Sequence, residues 1–196
     1  MGFSGSWAAV QGAPRDGVLA ALGLEPSGQS DAFPDFRVCL GELPGGWLLL
    51  WYDRDLSTAF EAARDLSPLG PALACAIEEH VMFQEARGYA DGAEVWRVTH
   101  DPNRGGSLYH LETDGAPPPE LAGIHADLKA QQDAEGGETA GVDLICDVPL
   151  ELARSICGFK HDLDPPDGVV FEELRQAKRA TGTSRPGFFA RLFGAR

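Results

Sequence analysis

The chain predicts an α+β fold: a mainly antiparallel sheet with a three-strand meander and helices packed on one face. Three observations lead there. Strand-like runs follow one another through short turn sequences, as hairpins do. Segments with helical spacing fall between groups of strands rather than after every strand. The 196 residues are 43% hydrophobic and 23% charged, which suits one globular core.

Residues 6–11 (SWAAVQ) read as a short strand. Val18, Leu19, Leu22 and Leu24 then recur at helical spacing, and Gly23 supplies a left-handed stop. Residues 25–34 are polar and rich in Ser, Gly and Pro, which predicts a loop. Residues 36–43 and 47–52 (WLLLWY) form a hairpin around Pro44-Gly45-Gly46. The second of these runs is apolar on both faces, the pattern of a central strand. Asp55-Leu56-Ser57 precedes a helix through Arg64, with Ser57 at the N-cap.

The meander carries most of the argument. Asp91-Gly92 favours a two-residue turn, because both positions tolerate positive φ. Ala90 then faces Ala93, Arg87 faces Trp96, Glu85 faces Val98 and Phe83 faces His100. Alternation places Cys75, Ile77, Val81, Phe83, Trp96 and Val98 on a core face. It places Glu78, His80, Gln84, Arg97, Thr99 and Asp101 on a wetted face, and one residue of slip exchanges the two sets. Residues 103–106 make a second turn, and 107–113 return as a third strand.

Residues 120–135 are the most regular helical segment, with Leu121, Ile124 and Leu128 on one face and Gly136-Gly137 as the stop. Residues 142–148 (VDLICDV) read as a strand. Pro149 opens a helix closed by Gly158. Phe171, Leu174 and Arg175 suggest one more short helix. The globular domain spans 1–174, and 175–196 form a basic, aromatic tail.

Charge narrows the function. The formal net charge is -14, and an acidic surface repels phosphate backbones, which argues against nucleic-acid binding. Six basic residues (Arg175, Lys178, Arg179, Arg185, Arg191, Arg196) follow the last acid, Glu173, so ten others face thirty Asp and Glu. Cys39, Cys75, Cys146 and Cys157 lack paired spacing and sit among apolar neighbours, the pattern of buried thiols in a reducing compartment. No signal-peptide pattern opens the chain, and no apolar run approaches ~20 residues. The expected location is the cytoplasm.

Several motifs fail on inspection. The dipeptides His100-Asp101 and His161-Asp162 lie outside the helical context of HD phosphohydrolases. Asp162, Asp164, Asp167 and Glu173 break the calcium-loop pattern, with Pro166 at the fifth position and Gly168 one place late. No phosphate-binding glycine motif follows a strand, so no cofactor is implied.

The main expectation is a non-enzymatic bacterial protein-interaction or regulatory domain, comparable in size and acidity with immunity-type proteins. It has no catalytic residue and no metal ligand, and its acidic surface takes a partner with a basic surface. The binding residues are the wetted set: Glu78, His80, Gln84, Arg97, Thr99 and Asp101. One alternative is a small metal-dependent hydrolase using Glu78, His80 and Asp101, two carboxylates and an imidazole on one face. Another is a peripheral membrane adaptor. It rests on Phe188, Phe189, Arg191, Leu192 and Phe193, whose basic amphipathic pattern suits an anionic membrane, a groove on a partner, or a second copy of the chain.

Overall fold

Residues 47–52 set the architecture, because a strand that is apolar on both sides has to be covered on both sides. A computed structural model describes residues 2–178 of the chain. Nine strands form one antiparallel sheet: β1 (Ser4–Gln11), β2 (Leu24–Asp31), β3 (Val38–Leu43), β4 (Trp47–Asp53), β5 (Ala72–Glu78), β6 (Phe83–Ala90), β7 (Ala93–His100), β8 (Glu112–Gly115) and β9 (Phe171–Gln176). Their spatial order is β2-β9-β3-β4-β1-β5-β6-β7-β8. The helices among the described residues are α1 (Arg15–Leu22), α2 (Thr58–Leu66), α3 (Pro102–Gly105), α4 (Glu120–Ala134) and α5 (Val148–Cys157).

The helices lie on both faces of the sheet, not on one as the sequence suggested. Leu48, Leu50 and Tyr52 of β4 join Val18, Leu19, Leu22, Ala59, Ala62, Ala63 and Leu66 in a core beneath α1 and α2. Trp47, Leu49 and Trp51 face the other way, toward Leu150, Leu152 and Ala153 of α5 and the Phe159 ring. Leu121, Ile124 and Leu128 of α4 pack at the margin of that second core. A fully buried Leu or Val contributes about 1.5–3 kcal/mol, so a polar layer on either side of β4 would forfeit several such contributions.

Four further assignments change. The polar stretch 25–34 contributes β2, which carries a register shift between Pro26 and Ser30. Residues 142–148 are not a strand; 145–147 form a tight helical turn leading into α5. The third meander strand begins at Glu112 rather than at 107, and residues 102–105 form a helical turn capped by the Asp101 carboxylate. Phe171, Leu174 and Arg175 belong to β9, which inserts between β2 and β3 and crosses the expected domain boundary at 174. Phe188, Phe189, Arg191, Leu192 and Phe193 lie outside the described residues.

The Asp91-Gly92 turn forms where expected, with Ala90 opposite Ala93, but the register then shifts. Tyr89 pairs with Glu94 and Gly88 with Trp96, so Val95 is an extra residue on β7. That is a β-bulge, and it moves every later pair by one. Gly88 makes room for it, since a Cβ there would overlap the Trp96 indole.

The start of α2 also differs in detail. Ser57 holds the N-cap position, but its side chain does not cap. Asp55 does the capping: its Oδ1 accepts from the amides of Ser57 at 2.9 Å and Thr58 at 2.8 Å, and its Oδ2 accepts from the Thr58 hydroxyl at 2.9 Å. Burial pushes the Asp55 carboxyl upward, yet the bonds from Thr58 and Ser57 outweigh it and hold the group below its usual range. Such a group stabilises the fold above its unfolded pKa, and the contribution disappears as pH falls through the lower folded value. Asp55→Ala should therefore cost about 1 kcal/mol at neutral pH. Urea denaturation at several pH values should show that gap closing below about pH 4.

All four cysteines are free and buried. Burial raises Cys39 and Cys157 to about 12 and pushes Cys75 and Cys146 upward as well. Since the thiolate is the reactive form, Ellman's reagent should label none of them in the folded protein and all four after unfolding. Rapid native labelling would show that the core opens at one of these sites.

Candidate functional site

The sheet is wider than its helical cover. α2 lies over β1, β5 and the near side of β6. Beyond it, on the same face, β6, β7 and β8 present polar side chains. Strand alternation and the shifted register define this set as Phe83, Glu85 and Arg87 from β6, Arg97 and Thr99 from β7, and Glu112 and Asp114 from β8.

These groups form a ladder of opposite charges running across the strands. Thr99 Oγ1 donates to Glu85 Oε2 at 2.6 Å, and both residues are buried. Arg87 Nε donates to Glu85 Oε1 at 2.7 Å, and Arg87 Nη1 reaches Glu94 Oε2 at 3.2 Å. Glu94 Oε1 accepts from Arg97 Nε at 3.1 Å, and Arg97 Nη2 donates to Asp114 Oδ2 at 3.4 Å. The Arg87 guanidinium also lies 4.1 Å from the centre of the Phe60 ring, which ties the ladder to the rim of α2. Burial disfavours the Arg87 charge, but Glu85 more than compensates and the guanidinium is held above its usual range.

The outer end of the ladder is open. Arg97, Thr99, Glu112, Thr113 and Asp114 line a shallow trough of about 350 Å³. The Glu112 and Asp114 side chains are 59% and 76% exposed. Four carboxylates (Glu85, Glu94, Glu112, Asp114) stand against two guanidiniums, so the face is acidic. Glu85 and Glu94 are neutralised inside the ladder, which leaves the excess on β8.

The expected binding set does not come together. Arg97 and Thr99 are on this face. Glu78 lies at the end of β5, where its carboxylate accepts from Ser4 Oγ at 2.7 Å and meets His80 Nδ1 at 2.6 Å. The Ser4 hydroxyl, followed by the His80 ring, holds the Glu78 carboxyl below its usual range. His80 itself sits in the turn between β5 and β6, beside an open cleft of about 490 Å³ that also touches Val81, Asn103 and Glu138. Asp101 Oδ1 accepts from the amides of Asn103 and Arg104, so it caps α3 instead of facing Glu78 and His80. The trio proposed for a hydrolase therefore does not converge. Among the described residues, no group of three or more His, Cys, Asp or Glu side chains is arranged to hold a metal ion.

Gln84 is displaced furthest. The bulge at Val95 puts it opposite His100, and it also pairs with Ile77, so it points into the α5 side of the sheet and is 3% exposed. Beside it lies a buried polar array that sequence reasoning missed. His100 Nε2 is 2.9 Å from Asp143 Oδ2, and His100 Nδ1 is 2.7 Å from the His110 carbonyl. Both ring nitrogens face oxygen atoms, so the ring is held from two sides. His110 is fixed differently. Its Nδ1 accepts from the Asp101 amide at 2.9 Å, which leaves Nε2 to carry the proton toward Glu112 Oε1 at 3.4 Å. Thus the trough's Glu112 is steadied from behind by a ring that rests on Gly105, where a Cβ would overlap it.

Glu85, Arg87, Glu94, Glu112 and Asp114 are the site residues that sequence reasoning missed. A strand glycine is a bulge marker, so Gly88 was the available signal. With the bulge placed at Val95, Glu85 and Arg87 fall beside Thr99 and Arg97. No helix among the described residues is long and apolar enough to cross a membrane.

Removing one partner of a buried pair typically costs about 3–5 kcal/mol. Asp143→Ala should lose about that much in urea denaturation; a loss under about 1 kcal/mol would mean that the pair does not hold β7 to the segment before α5.

Comparison with protein-family models, with curated proteins and with solved structures returns no match, so the trough's own chemistry has to carry the functional argument.

Proposed function

We propose that this chain is a non-enzymatic regulatory domain of the immunity type, binding a basic protein surface through the uncovered β6–β8 face. One observation carries the reading: the sheet extends past α2, and the exposed corner ends in two outward carboxylates, Glu112 and Asp114, whose one guanidinium neighbour in the ladder, Arg97 at 3.4 Å from Asp114, is shared with Glu94. A charge-satisfied ladder behind them supplies rigidity, since each of its members is held by a neighbouring strand. Exposed carboxylates on a fixed strand steer a cationic partner and set its orientation more than they add affinity. The formal net charge of -14 acts in the same direction at longer range.

Paired capture from native lysate tests this. Wild-type bait should retain a protein with a basic surface at low salt. Bait carrying Glu112→Lys and Asp114→Lys, with an unchanged melting curve, should lose it. Reversing two charges at an interface costs several kcal/mol, so recovery should fall by about a hundredfold or more. Equal recovery by both baits, or capture indifferent to ionic strength, would refute the assignment of this face.

A further inference from the structure

The same corner of the molecule is also the end of the sheet. β8 pairs with β7 and has no strand beyond it among the described residues, and all four of its residues are exposed. The bond from the Ala116 amide to the Val95 carbonyl, at 3.1 Å, fixes which backbone groups are free. It brackets Trp96 and Gly115 as a pair without mutual hydrogen bonds, so Arg97–Asp114 and Thr99–Glu112 are the bonded pairs. The amide and carbonyl of Thr113 therefore point outward. The Gly115 amide is occupied by its neighbour, Asp114 Oδ1, at 2.8 Å.

Short charged edge strands usually serve to prevent pairing. Here the charges have one sign, and that makes the exclusion selective. A second copy adding its own β8 antiparallel about Thr113 would set Glu112 opposite Asp114 and Asp114 opposite Glu112. Like charges directly opposite each other destabilise a strand pair. An extended segment with Lys or Arg at alternate positions meets the reverse situation. Its basic side chains fall beside Glu112 and Asp114 on the trough side, while its backbone bonds to Thr113.

We propose that β8 takes an extended basic segment of the partner protein as a tenth strand, with Thr113 as its backbone anchor and Glu112 and Asp114 as its side-chain selectors. This rests on the acidic face being the binding face, and it adds the form of the ligand. Recognition by strand addition draws affinity from main-chain bonds and specificity from alternate side chains.

The probe is a synthetic Lys-Thr-Lys-Thr-Lys-Thr-Lys peptide, compared with its Glu-for-Lys counterpart, against the full chain labelled with nitrogen-15. Thr113 amide exchange should slow about tenfold with the Lys peptide at about nine times its Kd. The Glu peptide should have no effect. Thr113→Pro removes the outward amide at a position where edge strands accept proline, so its readout is affinity for the Lys peptide, which should fall by about tenfold or more. A Lys peptide N-methylated on alternate amides should leave Thr113 of the wild-type chain unprotected, which keeps the test independent of how Thr113→Pro folds. Peptide-induced shifts spread over the acidic surface without Thr113 protection would overturn the strand and leave charge alone. Thr113 protection that rises with protein concentration, or that vanishes on truncation after Lys178, would overturn it in favour of a second copy or the chain's own tail. If Thr113→Pro keeps the lysate partner while the double Lys variant loses it, the edge proposal fails and the acidic-face reading stands.

Discussion

The dryness of β4 on both sides is the constraint from which the rest follows. Trp47, Leu49 and Trp51 need one apolar layer and Leu48, Leu50 and Tyr52 need another. Two helices supply each: α1 and α2 on one side, α4 and α5 on the other. The layers are not equally broad. α5 reaches β5, β6 and β7, whereas α2 stops at β6. The last strands on the α2 side are thus left to water, and a sheet face in water has to be polar. The acidic corner is therefore a product of where the core ends.

Two kinds of polar cluster coexist, and they do different work. The outer ladder from Thr99 to Asp114 becomes more exposed along its length and ends in solvent-exposed carboxylates. The inner clusters are each built on a buried side chain. Lys160, with a side chain only 5% exposed, meets Asp147 at 3.1 Å, Glu151 at 3.2 Å and Asp162 at 3.2 Å. His100 and Asp143 form a comparable staple between β7 and the segment preceding α5. Buried polar and ionic contacts such as these add little net stability relative to apolar packing, but breaking one is costly. They fix where the α4–α5 layer sits, and with it the rear support of Glu112.

Much of this was legible in the sequence, and the failures have physical causes. Helix stops at Gly23 and Gly158 and the turn at Asp91-Gly92 were readable, because positive φ selects its residues strongly. WLLLWY announced a central strand, and the same doubly apolar pattern argues against helices on one face only. The Val95 bulge was not placed, and one extra residue inverts a strand's faces, which moved Gln84 from the wet side to the dry. Residues 171–176 have too few apolar positions to separate a period of 3.6 from a period of 2. Strand β2 was hidden by its Ser, Gly and Pro content, because a sheet margin tolerates residues that a central strand does not. The ends of the sheet were the least legible part, and the candidate site lies at one of them.

The position of β9 has a consequence for biogenesis. It lies between β2 and β3, and Arg175 reaches Glu25 across a separation of 150 residues. On the ribosome, at roughly 5–20 residues per second, β2 waits on the order of 10–30 s for its one sheet neighbour among the described residues to be made. Until then the nascent chain exposes an open edge on β3 beside a finished hydrophobic centre. The acidic residues Asp31, Asp35 and Glu42 around that gap place like charges where two unfinished chains would otherwise zip together.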